Sequence, residues 1–241
     1  MTVSTFFPDG APETTSVDGW AERGGQNEAF GTIRAGAGSF FNDDLDVVGM
    51  VMLVTTATSP NYNSIRRGVF LFDTSSLPDT DTIDAVTFEF VATAKADEFT
   101  EAASLSMVTS TPASNTALEN ADYTQLGTTK QATDLTIASV VADSATYNAF
   151  TLNATGRGNI SQTGISKFGA RGTFDNDNVE PTWGASKFAY VNCASAEEVL
   201  AGDKRPKLVV THTATADPEG SLLGGKLLRG GLLQHGVLVR H

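Results

Sequence analysis

Between residues 83 and 93 the chain alternates with a period of two: Val86, Phe88, Phe90 and Ala92 fall on one side, and Thr87, Glu89, Val91 and Thr93 on the other. Only an extended strand sends successive side chains to opposite faces, so this segment is expected to be a half-buried antiparallel strand with its phenylalanines in a core. Such a strand needs partners. Residues 29–34, 46–54, 69–73, 104–110, 135–141, 147–153, 165–171, 187–192 and 207–213 are further short apolar stretches bounded by Gly, Asn, Asp or Pro. Many short strands separated by turn signals predict an all-β fold, an antiparallel β-sandwich of jelly-roll type. The composition agrees, because Thr and Ser together outnumber Lys and Glu by more than two to one and Gly occurs 23 times. That mix favours strands and turns over helices. Helix signals are confined to residues 118–123, 153–161 and 195–200, the last opening on Ser195 with Glu197 and Glu198 in its first turn.

Charge and cysteine content remove several function classes. With 28 acids against 16 Lys and Arg, the formal charge of −12 repels phosphate backbones, so no nucleic-acid partner is expected. A single Cys193 cannot form an internal disulfide, and a small buried residue is the expected role for it. No apolar run is long enough for a membrane span. The opening residues 1–10 lack the basic and apolar regions of a secretory signal, so synthesis in the cytoplasm without secretion is expected. The histidines, His212, His235 and His241, gather at the C-terminal end, and no His-centred active site is expected in the body. Motifs for acyl transfer, zinc hydrolysis and phosphate binding are missing, and the chain is expected to be no enzyme.

After Thr213 the sequence changes character. Residues 1–27 are expected to form a segment packing on the sandwich and residues 28–214 the sandwich itself, with residues 215–241 a linker and an apolar Gly/Leu-rich tail. Leucine pairs recur every five residues, at Leu222 and Leu223, Leu227 and Leu228, and Leu232 and Leu233. Five fits neither the helical nor the strand period, so these side chains cannot all be buried against one surface. Lys226, Arg229 and Arg240 make the tail basic against an acidic body. Leu222, Leu223, Leu227, Leu228, Leu232, Leu233, Lys226 and Arg229 are therefore expected to dock on other copies of the chain or on partner proteins.

Two stretches carry a resemblance to a known family. The first is Arg66-Arg67-Gly68-Val69-Phe70-Leu71-Phe72-Asp73-Thr74-Ser75-Ser76-Leu77-Pro78, running into Thr82-Ile83-Asp84-Ala85-Val86-Thr87-Phe88. The second is Arg205-Pro206-Lys207-Leu208-Val209-Val210-Thr211-His212-Thr213. Together they resemble the DNRLRE-type, carbohydrate-binding-module-like β-sandwich domain of bacterial surface proteins and predicted phage structural proteins. The resemblance implies a sandwich over residues 28–214 and a place on a surface or in a virion; it does not by itself imply a function.

Candidate binding residues fall into two groups. Asp175, Asp177 and Glu180, within Asp175-Asn176-Asp177-Asn178-Val179-Glu180, offer the oxygens that Ca²⁺ takes, although Asx-rich loops also close turns without metal. Asn42-Asp43-Asp44-Leu45-Asp46 has the same two readings. Trp183 and Tyr190 are the candidate glycan contacts, since flat rings bind sugar faces; packing into the core is the alternative. The expected function is that of a non-enzymatic phage virion protein, a head decoration or a tail or fibre component, with other virion proteins as partners and no cofactor beyond Ca²⁺. A carbohydrate-binding module for surface glycans is the alternative.

Overall fold

The computed structural model describes residues 1–58, 60–198 and 202–215. Along the chain the elements are β1 (Thr2–Phe6), β2 (Asp18–Arg23), α1 (Phe30–Ala35), β3 (Phe40–Asn42), β4 (Val47–Thr55), β5 (Tyr62–Asp73), β6 (Thr82–Phe90), β7 (Ala92–Asp97) and β8 (Ser104–Thr109). A 3₁₀ turn at Asn120–Thr124 follows, then β9 (Leu135–Thr136), β10 (Asn148–Thr151), α2 (Ala154–Gly158), β11 (Ile165–Gly172), α3 (Thr173–Asp177), β12 (Phe188–Ala194) and β13 (Lys207–Thr213). All the strand pairs are antiparallel, and the strands sort into a four-stranded sheet ordered β1-β13-β6-β10 and a nine-stranded sheet built around β7-β12-β4-β5-β11-β8-β9. The all-β sandwich is the architecture that the alternating pattern required.

The two sheets meet through aromatic rings. Phe88 of β6 lies 5.0 Å from Phe70 and 6.0 Å from Phe72 of β5, which belongs to the opposite sheet. Phe90 and Phe150 stack behind it at 6.1 Å. All five rings are buried, so Val86, Phe88 and Phe90 point inward as their alternation with Thr87 and Glu89 demands. In β5, by contrast, both faces are covered, because Val69 and Leu71 pack outward against Val17, Val108, Leu118 and Leu126. A continuous apolar run is what a strand covered on both faces requires.

Several local expectations differ from the structure. Residues 29–34 do not form a strand: Phe30 and Ile33, three apart, bury together on one face of α1. Residues 135–141 keep only two strand residues, after which Ile137–Ser139 turns as a 3₁₀ helix with Lys95 Nζ donating to the carbonyls of Ile137 and Ala138. Residues 195–198 form a turn rather than a helix, and residues 199–201 lie outside the described residues. The segment 1–27 is not an appendage on the sandwich. It supplies β1 to the edge of the small sheet, against β13, and β2 to the large sheet, between β3 and β5.

Because Phe88 is fully buried among four other rings, truncation of Phe88 to Ala is expected to cost about 3–5 kcal/mol, read as a lowered midpoint in chemical denaturation.

Candidate functional site

The Asx-rich segment 175–180 folds around an ion network instead of a cation cage. Phe174 and Asp175 are drawn inward by the single turn of α3, which ends at Asn178 in the left-handed conformation (φ 55°) that Asn tolerates well. Asp175, 3% exposed, is gripped from two sides. Arg67 of β5 donates from Nε to Oδ2 at 2.8 Å and from Nη2 to Oδ1 at 2.7 Å. Arg171 of β11 repeats the fork at 2.8 Å on each oxygen. A third cation, Arg34, stands 3.5 Å from Oδ1. Burial works against the charge on Asp175, yet the two guanidiniums prevail and hold its carboxyl below the usual range. The spare donors of Arg67 satisfy the carbonyls of Tyr123 and Arg34, and its guanidinium lies 3.9 Å from the Tyr123 ring centre.

The expectation of Ca²⁺ at Asp175, Asp177 and Glu180 is corrected by this geometry. Both oxygens of Asp175 are occupied by arginines, and a dication would face their positive charge. Asp177 pairs with Lys130 at 2.8 Å, while Glu180 stands beside the Tyr62 hydroxyl. Among the described residues no three His, Cys, Asp or Glu side chains converge as metal ligands. Residues 42–46 likewise form a local turn, in which Asn42 Oδ1 accepts from the Leu45 amide and Asp43 Oδ2 from the Leu118 amide.

Trp183 and Tyr190 occupy different local settings. Trp183 is half-buried against the main core and donates from its indole to the Asn61 carbonyl at 3.0 Å. Tyr190 of β12 is half-buried with its ring 5.9 Å from that of Phe188. Leu222, Leu223, Lys226, Leu227, Leu228, Arg229, Leu232 and Leu233 lie outside the described residues. Cys193 is fully buried, and burial raises its thiol well above the ordinary value, so it carries no thiolate chemistry.

One constellation was not legible in the sequence. His212 faces inward on β13, in register with Thr2, its Nε2 3.1 Å from Ser4 Oγ and its Nδ1 2.6 Å from Asp81 Oδ2. The strand that carries it lies inside the small sheet, between β1 and β6. Orienting carboxylate, imidazole and hydroxyl stand in the order used for nucleophile activation. Two recesses lie elsewhere among the described residues: an apolar one of about 20 Å³ beside Val51, Leu53 and Ile137, and an open cleft of about 290 Å³. Thr109, Thr129, Gln131, Thr155 and Asn159 line that cleft with hydroxyls and amides. The Ser4–His212–Asp81 chain joins the edge strand, the central strand and the turn before β6. Its members are 208 and 131 residues apart, so no local motif announces them.

Comparison with protein-family models and with curated proteins finds no match to this chain.

Replacing Asp175 by Asn leaves two buried guanidiniums without a counter-charge and is expected to cost about 3–5 kcal/mol, measured by urea denaturation at neutral pH. The depressed carboxyl gives the sign of the pH response: the Asp175 contribution is complete above the ordinary carboxylate range and is lost as pH falls through its lower folded value. The variant should therefore lose less stability than the parent on strong acidification.

Proposed function

We propose that this chain is a non-enzymatic structural protein of a phage particle, a β-sandwich module attached through residues 221–241. The observation that carries the reading is the employment of the most reactive groups as internal fasteners. Arg67 and Arg171 share the one carboxylate of Asp175 in the interior, and Ser4, His212 and Asp81 tie three backbone segments of the small sheet together. A rigid module of this kind suits display, and the leucine pairs with their basic neighbours supply a segment suited to docking on other acidic bodies. The resemblance to the DNRLRE-type domain supports the same reading.

A second reading, glycan binding, draws on the open cleft. Its lining of Thr109, Thr129, Gln131, Thr155 and Asn159 carries no charge and presents hydroxyls and amides, the groups that recognise sugar hydroxyls. In that case the sugar contacts lie at this cleft and not at Trp183 and Tyr190.

Deleting residues 221–241 is expected to leave a folded, monomeric sandwich that is absent from purified particles, as read by gradient sedimentation and immunodetection. Normal incorporation of the truncated protein overturns the assembly role. Specific retention on a glycan array, lost on Asn159→Ala and kept on Trp183→Ala, favours the second reading.

A further inference from the structure

Among the crossovers that join the two sheets at one end of the sandwich are residues 7–17, leading from β1 to β2, and the segment that leaves β12 toward β13, of which residues 195–198 and 202–206 are described. They pack closely: a side chain added at Gly10 would stand 3.0 Å from the Ala196 carbonyl. Carboxylates make the joint. Asp18, which opens β2, accepts from the Ala196 amide at 3.2 Å, and Glu197 accepts from the Ala11 amide at 3.2 Å.

One oxygen of each carboxylate is thereby satisfied, but the other is not. Asp18 Oδ2, Glu197 Oε2 and Glu13 Oε1 are all shut away from solvent and make no hydrogen bond, although the Ser195 hydroxyl lies beside the Glu197 carboxylate. Asp18 itself is 1% exposed. An ionised carboxylate in that position carries charge that one backbone amide offsets only in part, and a buried acceptor without a donor is costly. The neighbours worsen the balance. Glu197 and Glu13 face Asp18, while Asp9, Asp43 and Asp44 face Glu13; the Cys193 thiol stands near Asp18 as a neutral group. Arg205, a cation within electrostatic reach of Asp18, is held by Asp203 at 2.8 Å.

We propose that Asp18, Glu197 and Glu13 form a proton-operated latch: protonated, they fasten the two crossovers at this end of the sandwich, and ionised, they repel and loosen it. A carboxylic acid supplies the missing donor as well as removing the charge. The titration runs in the required direction, because burial, followed by the charge of Glu197, holds Asp18 well above the usual carboxylate range; burial also raises Glu197 and Glu13. For raised acids the stabilisation is complete below the unfolded value and is lost as pH rises through the folded one. This is opposite in sign to Asp175, whose effect is confined to stronger acid.

The test compares the full chain with Asp18→Asn, whose amide can still accept from Ala196 and is neutral at every pH. The parent is expected to melt lower at about pH 8 than at about pH 5, and the variant to be higher than the parent at about pH 8 by roughly 2–4 °C or more. Equal pH slopes in the two proteins overturn the latch. Should the variant fold poorly, Glu197→Gln is read instead, together with amide-exchange protection of Ala11 and Ala196 in the parent. Their protection must fall between the two pH values relative to that of β5 amides, and constant relative protection overturns the proposal. Millimolar Ca²⁺ that restores the parent's melting temperature at about pH 8, and leaves Asp18→Asn unmoved, shows a cation where the latch requires a proton and also overturns it.

Discussion

A single carboxylate held between two guanidiniums determines how the large sheet is sealed. Arg67 and Arg171 point from β5 and β11 into the region where the sheet bears α3, α1 and the 120–124 turn, and each of those elements places an oxygen on one of the two arginines. Carrying three charges out of water is expensive, and a buried ion pair seldom adds net stability over an apolar replacement. What it does impose is geometry. The planar forks accept one orientation of Asp175, so the short helix that carries it has one position, and the carbonyls of Arg34 and Tyr123 are fixed by the donors left over. Three segments with little regular structure of their own thereby acquire definite places.

The aromatic layer beneath works on a different principle. Phe70, Phe72, Phe88, Phe90 and Phe150 form a non-directional apolar mass that holds the sheets together without specifying which loop goes where. Cohesion from rings and specificity from charges are thus separated in space: the rings lie between the sheets, and the ions lie at the end covered by irregular chain. The Ser4–His212–Asp81 chain plays a similar positional role at the small sheet, tying β1 and β13 to the turn before β6.

This division explains how much of the fold could be read beforehand. Period-two patterns at residues 83–90 and 207–213 translate into β6 and β13 because local geometry alone dictates which face each residue takes, whereas the alternation expected to run on to 93 breaks at the buried Val91, where the chain crosses to β7 in the other sheet. The same reasoning fails at residues 29–34, where Phe30 and Ile33 satisfy a helical turn as well as a strand and only the pocket beside Tyr62 decides between them. It fails again at β2, since Asp18–Arg23 is not among the apolar stretches that mark strands in the sequence yet completes the ladder on β5. Asp175 is the clearest case. As a member of an Asx-rich run it suggests a metal ligand, and its real partners lie 108 residues away and one turn back, at Arg67 and Arg171. Long-range pairing of this kind leaves no spacing to find.

The position of β13 has a consequence for how the chain comes into being. It is inserted between β1 and β6, with Thr2 opposite His212, so among the described residues β1 finds its one strand partner about 200 residues further along the chain. During synthesis β1 and one edge of β6 must wait, unpaired, until nearly the whole chain has left the ribosome. Such a topology joins residues far apart in sequence and folds slowly, since the loop must close before any contact rewards it. A chain interrupted between Ala194 and Lys207 has every strand of the large sheet but lacks β13, which joins β1 to β6 in the small one. The small sheet therefore closes only when β13 is in place.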